Sequence, residues 1–147
     1  MNRLLLPTLC LSLLAACGGD APAQPAGPTG GQAPAAADHG HGTPHPLGDL
    51  TIGAHTFRVV QEGDLHAGAE AVFTLEFPTG KPRPEIVRVW VGVESGQGSM
   101  KARMMKEGNR ELHNHVEVPN TLPEGSKVWV EIEENGQKAR AAIDWHR

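Results

Sequence analysis

The sequence contains very few cysteine and aromatic residues. Of its 147 residues only Cys10 and Cys17 are cysteines, tyrosine is absent, and aromatic residues make up 4% of the chain. Both cysteines lie near the N-terminus, so the chain after Cys17 has no disulfide, no cysteine-ligated metal site and no cysteine nucleophile. The low aromatic content also argues against a base-stacking platform for single-stranded nucleic acid.

Basic clusters and recognisable catalytic motifs are missing as well. The formal net charge is -4, and no run of lysine and arginine provides a positive patch. We therefore expect no nucleic-acid partner. No serine lies in a nucleophile-elbow context, and neither a zinc-protease helix motif nor a phosphate-binding glycine loop is found. The sequence predicts a protein that is not an enzyme.

Residues 1–16 are typical of an export signal. Arg3 supplies a positive charge, an apolar run extends from Leu4 to Leu14, and small residues follow. A charged start, a short apolar core and a small-residue cleavage site define a secretory signal peptide. The apolar run is too short to span a membrane as a mature helix.

The end of this signal, Leu14-Ala15-Ala16-Cys17, resembles the lipobox of bacterial lipoproteins. That resemblance implies that Cys17 becomes the first mature residue and is modified with lipid, palmitate included, so that the protein is anchored to a membrane of the cell envelope without spanning it. The residue after it is Gly18 rather than aspartate. In the same family this favours the outer membrane, facing the periplasm, over the inner membrane.

The stretch 17–46 predicts a lipid-anchored, disordered tether. It consists mainly of proline, alanine and glycine and has no apolar residue larger than alanine after Cys17, so it buries too little surface to offset its ordering entropy. A flexible coil of this length reaches roughly 30 Å. His39, His41 and His45 lie at its end. Closely spaced imidazoles suit Cu, Zn or Ni; the alternative is a polar linker that tolerates histidine.

Residues 47–147 predict an all-β domain. Short runs of β-branched and apolar residues alternate with turn signals, and no stretch has sustained helical periodicity. Asn135-Gly136 is a typical two-residue hairpin turn. About seven to eight short strands at regular spacing favour an antiparallel immunoglobulin-like β-sandwich, with a small barrel as the alternative.

The clearest candidate metal site is His113 and His115. Residues two apart in a strand point to the same side, and Glu111 and Glu117 share that predicted face. Two imidazoles and a carboxylate can form an open three-ligand site for Zn or Cu(II). The alternative is an exposed polar face on a half-buried strand.

The methionines near residue 100 form a second candidate. Alternation points Met100 and Met104 inward, where they would fill the core, and Met105 outward. Thioethers are soft ligands that suit Cu(I). Met105 is therefore a candidate copper ligand.

Two tryptophans form a candidate partner surface. Alternation assigns Trp90 and Trp129 to faces that point to solvent, and an exposed apolar patch indicates an interaction site. The alternative is that neighbouring long side chains such as Arg88 cover the rings.

Residues 86–132 resemble the periplasmic β-sandwich domains called YtkA-like. The shared features are a valine-rich strand, the turn Gly98-Ser99-Met100, the strand end His115-Val116-Glu117-Val118-Pro119, and a later Val-Trp-Val-Glu-Ile strand. The resemblance implies a periplasmic sandwich similar in architecture to copper-resistance proteins.

Two functions from different classes follow. The first is a membrane-anchored lipoprotein, not an enzyme, whose sandwich binds another envelope protein through Trp90 and Trp129. The second is a periplasmic Cu, Zn or Ni-binding lipoprotein that uses His113, His115 and the tether histidines.

Overall fold

The computed structural model describes residues 42–147, which are built from β-strands and turns with no helix. Accordingly, this range has no helix long and apolar enough to cross a membrane. The predicted signal peptide, Cys17, His39, His41 and most of the predicted tether lie outside the described residues.

The strands form two sheets in which every neighbouring pair is antiparallel. The five-stranded sheet contains, in spatial order, β1 (Pro44–Ile52), β2 (His55–Glu62), β3 (Glu70–Glu76), β7 (Glu111–Glu117) and β6 (Met105–Glu107). The four-stranded sheet contains β5 (Ala102–Arg103), β4 (Ile86–Gly92), β8 (Lys127–Glu134) and β9 (Gln137–Ile143). This confirms the predicted all-β sandwich architecture, while its immunoglobulin-like type stays a prediction.

Two details of the predicted strand layout are wrong. There are nine strands in the described range, because the segment after Met100 divides into β5 and β6, one in each sheet. The sheet also begins at Pro44, so residues 44–46 belong to β1 rather than to the tether. Their pairing with β2, in which Pro44 lies opposite Glu62, explains the difference.

The core lies between the two sheets and follows the predicted alternation. Phe73 and Leu75 of β3 and Val89 and Val91 of β4 are fully buried. They belong to one hydrophobic cluster that draws on both sheets. At about 25 cal/mol per Å² of apolar surface, this burial is the main stabilising contribution to the fold.

The methionines are placed differently from the prediction in one case. Met104 is buried in the core, and its backbone N–H donates to the Val87 carbonyl at 2.9 Å, which ties the crossing between sheets to β4. Met100 is 62% exposed. It precedes β5 and lies in no strand, so the alternation that predicted it inward does not apply to it.

The predicted exposure of Trp90 is also wrong. Its side chain is 0% exposed and its ring stacks on that of half-buried Trp129, with ring centroids 6.2 Å apart. Lys101 Nζ lies 4.0 Å from the Trp90 ring centroid. Trp90 Nε1–H donates to the Val93 carbonyl at 2.8 Å, and Trp129 Nε1–H donates to the Gly92 carbonyl at 3.0 Å. Both indoles are therefore held within the fold.

Next to the tryptophans, the outer face of the four-stranded sheet contains a buried carboxylate. Glu131 is 2% exposed. Its oxygens lie 3.4 Å from Arg140 Nη2, 3.5 Å from Lys101 Nζ and 3.6 Å from Arg88 Nη1. Three cations thus surround one carboxylate, which offsets the cost of removing its charge from water.

A β-bulge interrupts the first strand pair, and a tight turn closes the last hairpin. The β1–β2 pairing is interrupted by a bulge between Pro46 and Gly48. Asn135 and Gly136 form the predicted two-residue turn between β8 and β9, with φ values of 50° and 74°. Positive φ at both positions is what a type I′ hairpin turn requires.

Candidate metal centre

Strand β7 directs both central histidines to the outer face of the five-stranded sheet. Its apolar residues Leu112 and Val116 are buried in the core, so the alternate positions His113 and His115 point away from it. His113 lies in the partly covered middle of the face, while the side chain of His115 is 43% exposed. The spacing argument from sequence therefore predicted their shared face.

The two imidazoles are adjacent and meet edge to face. Their ring centroids lie 5.9 Å apart with an interplanar angle of 89°. Histidine nitrogens bind zinc at about 2.0–2.1 Å, so two rings on one tetrahedral ion have nitrogens roughly 3–4 Å apart and ring centroids roughly 5–6 Å apart. The observed centroid separation is in this range, and side-chain rotation is needed before the two rings and a carboxylate converge, because these residues do not form a group with three ligand atoms within 4.8 Å of one another.

Carboxylates from other strands of the same sheet lie against both rings. Glu107 Oε2 is 3.6 Å and Glu62 Oε1 is 4.0 Å from His113 Nδ1. Glu70 Oε2 is 3.4 Å from His115 Nδ1. Negative charge beside the imidazoles favours a bound cation.

These are not the carboxylates that the sequence predicted. Glu111 and Glu117 share the strand and the face of the histidines, but across the sheet they lie opposite Glu76 and Glu70. Same-face residues along one strand are about 6.5–7 Å apart, whereas direct cross-strand neighbours are about 4.5–5.5 Å apart. Glu107 and Glu70 are instead diagonal neighbours of His113 and His115 on the adjacent strands, about 7–8 Å away at the backbone, and their long side chains reach the rings.

Thr74 orients His113 through a chain of hydrogen bonds that sequence reasoning missed. The Thr74 hydroxyl donates to Glu62 Oε1 at 2.8 Å and lies 3.2 Å from His113 Nδ1. Because its single proton is used for Glu62, we assign the Nδ1–H of His113 as the donor to Thr74 Oγ1. In the neutral ring the lone pair then resides on Nε2, and such partners fix the orientation of metal-binding histidines.

Met105 lies beside this pair of histidines. It is directly opposite His113 in the β6–β7 register, and direct cross-strand partners share a face. Its side chain is 61% exposed. The structure thus places the predicted soft ligand next to the predicted imidazoles, which the sequence alone did not bring together.

His45 is placed in a different cluster. Its ring stacks on His146, with centroids 3.8 Å apart. Within residues 42–147, one group brings three ligand atoms to within 4.8 Å of one another, and it consists of His45, Asp64 and His146. Asp64 and His146 come from a turn and from the chain end, where no local spacing pattern indicates a site.

No family model, curated protein or solved structure matches this chain.

Proposed function

We propose that this protein is a metal-binding lipoprotein of the cell envelope that holds Zn(II), Cu(II) or Ni(II) on the outer face of its five-stranded sheet. The proposal rests on one observation above all: His113 and His115 lie side by side on the outer face of the sheet, with carboxylates against both rings. The lipid anchor at Cys17 and the outer-membrane location facing the periplasm belong to the proposal through the lipobox resemblance.

The ligand set suits borderline metal ions. Nε2 of His113, a nitrogen of His115 and a carboxylate oxygen of Glu70 would supply three protein ligands and leave a coordination position open. Glu107 lies 3.6 Å from His113 Nδ1, on the other side of the ring, and would orient that ring instead of binding the ion. Imidazole and carboxylate favour Zn(II), Cu(II) and Ni(II), and the neighbouring Met105 thioether adds a soft donor that favours Cu(I). We propose binding or delivery of the ion rather than catalysis.

The alternative is the predicted interaction module for an envelope protein. This alternative was based on a contact surface formed by Trp90 and Trp129. Trp90 is fully buried, and both indole N–H groups have partners within the domain, so the predicted surface is not available. Partner binding through another surface stays a prediction. The metal function is better supported because its two candidate histidines are adjacent and His115 is 43% exposed.

The test is a calorimetric titration of Cu(II), Zn(II) and Ni(II) into the purified protein after removal of bound metal. The variant combining His113→Ala and His115→Ala should lose one tight site. Glu107→Gln or Glu70→Gln should weaken that site by roughly tenfold or more, in line with losses of metal-site partners.

Glu111→Gln combined with Glu117→Gln is the matched control, because these residues share the strand and face of the histidines. This control should retain most of the affinity. Unchanged stoichiometry and affinity in the double-histidine variant would overturn the proposal, as would wild-type binding no tighter than about 1 mM.

A further inference from the structure

Three segments that are distant in sequence meet at one edge of the sandwich. His45 lies at the start of β1, Asp64 follows β2, and His146 is the penultimate residue. Their ligand atoms all lie within 4.8 Å of one another. The two imidazoles stack with an interplanar angle of 14° and a centroid distance of 3.8 Å.

A buried glutamine holds the three segments together. Gln61 is 0% exposed. Its Nε2 donates to the Gly63 carbonyl at 2.8 Å and to the His146 carbonyl at 3.2 Å, while its Oε1 accepts the His146 N–H at 3.0 Å. A buried amide with this many partners fixes the chain end relative to β2.

The turn that presents Asp64 is fixed in the same way. The Gly63 N–H donates to the Thr43 carbonyl at 2.9 Å, which joins the turn to the residue before β1. Gly63 has φ of 74°, a left-handed conformation that glycine adopts at no steric cost. The backbones of all three ligand-bearing segments are therefore positioned by hydrogen bonds that do not involve the ligand side chains.

We propose that His45, Asp64 and His146 form a second binding site for a transition-metal ion, separate from the outer-face histidines. Two imidazoles and one carboxylate suit Zn(II), Cu(II) or Ni(II) and leave a position for water. This site uses none of the residues of the proposed function and does not depend on it.

Binding requires a defined side-chain change. A metal ion lies in the plane of each imidazole that binds it, whereas two nearly parallel rings at 3.8 Å share no such point. The rings must therefore open from the stack. The His146 side chain is exposed and the backbone on either side is held by Gln61, so the rotation leaves the fold intact.

The occupied site joins the start of the first strand to the end of the chain. His45 pairs with Gln61 in the β1–β2 register, and His146 follows the last strand of the other sheet. An ion bound by both residues crosslinks the two sheets at this edge. A metal ion that binds only the folded domain then stabilises it, by an amount that grows with the logarithm of the free metal concentration above Kd.

The experiment is a competition titration of Zn(II) against a chromophoric chelator, with Co(II) spectra as a report on the ligand set. The purified wild-type protein should bind about two equivalents of Zn(II). Asp64→Asn and His146→Gln should each weaken one of them by roughly tenfold or more while leaving the other unchanged. His66→Ala is the matched control, since His66 is an exposed histidine two residues after Asp64.

The outcomes separate this site from the outer-face site. Loss of one equivalent in Asp64→Asn and of the other in the His113→Ala, His115→Ala variant supports both sites. Loss of metal binding only in the outer-face variant overturns the second site and leaves the proposed function standing. Loss of metal binding only in Asp64→Asn supports the second site and overturns the proposed function.

Two further measurements distinguish the loss of a metal ligand from misfolding of the variant. Circular dichroism should show the wild-type fold for Asp64→Asn, because Asp64 is exposed and no backbone hydrogen bond is removed. Long-range ¹H–¹⁵N NMR should show Zn(II)-dependent shifts of the ring nitrogens of His45 and His146. Ring signals that stay unchanged while Zn(II) binds would also overturn the site.

Discussion

Replacing Glu131 with glutamine is expected to destabilise the protein by about 3 kcal/mol, although the two side chains have nearly the same shape. The carboxylate is 2% exposed and has Arg140, Lys101 and Arg88 within 3.6 Å. Glutamine retains one oxygen acceptor but removes the negative charge. Lys101 and Arg140 then lose their carboxylate partner, while Arg88 keeps Glu133 at 2.8 Å.

The magnitude follows from the burial of each partner. Removing one member of a fully buried ion pair costs about 3–5 kcal/mol, because the remaining charge is left uncompensated. The side chains of Arg88, Lys101 and Arg140 are 27%, 28% and 33% exposed. Because water reaches them in part, we expect the lower end of that range.

Urea unfolding at neutral pH provides the assay. With a slope of about 2 kcal/mol per M of urea, the expected loss lowers the midpoint by roughly 1.5 M. Glu133→Gln is the matched control, because Glu133 lies on the same strand and face and also contacts Arg88, but is partly exposed. A midpoint shift for Glu131→Gln no larger than that of the control would refute the reasoning.

Two further predictions concern the same sheet. The hydrogen bond from Arg88 holds the pKa of Glu133 below its ordinary value of 4.5, so the unfolded chain takes up this proton first as the pH falls. The stability that Glu133 contributes is therefore complete above about pH 4.5 and is lost as the pH falls through the folded pKa. When the free energy of unfolding is measured against pH, Glu133→Gln should lose less stability than the wild type over this acid range. Trp90→Ala should cost about 3–5 kcal/mol by thermal unfolding, and a loss below about 1 kcal/mol would contradict the burial of this ring.

Alternation along the strands predicted the faces of the sheets but not what covers them. Phe73 and Leu75 alternate along β3 and are buried in the core, yet Val72 and Thr74 on the opposite face of β3 are also buried. The reason is that β3 lies in the middle of its sheet, between β2 and β7. Coverage of an outer face depends on side chains from neighbouring strands, which a single strand's pattern does not contain.

In the candidate metal sites, contacts within one strand could be predicted from the sequence, whereas contacts between distant segments could not. The shared face of His113 and His115 follows from their spacing of two, and the strand pairing agrees with it. Glu107 and Glu70 come from other strands, and their approach to the rings depends on register. The contact between His45 and His146 joins opposite ends of the domain, so no window of sequence could have indicated it.

Strand edges decide whether neighbouring copies of a sandwich join into larger sheets, and each of the four sheet edges within residues 42–147 hinders such growth. Strand β1 contains Pro44, Pro46 and a bulge, and proline offers no N–H to an incoming strand. Strand β9 presents exposed Lys138 and Arg140, while β5 and β6 have only two and three residues. If the proposed lipid anchor at Cys17 crowds copies of this chain along a membrane, these edges hinder pairing between the strands of neighbouring copies.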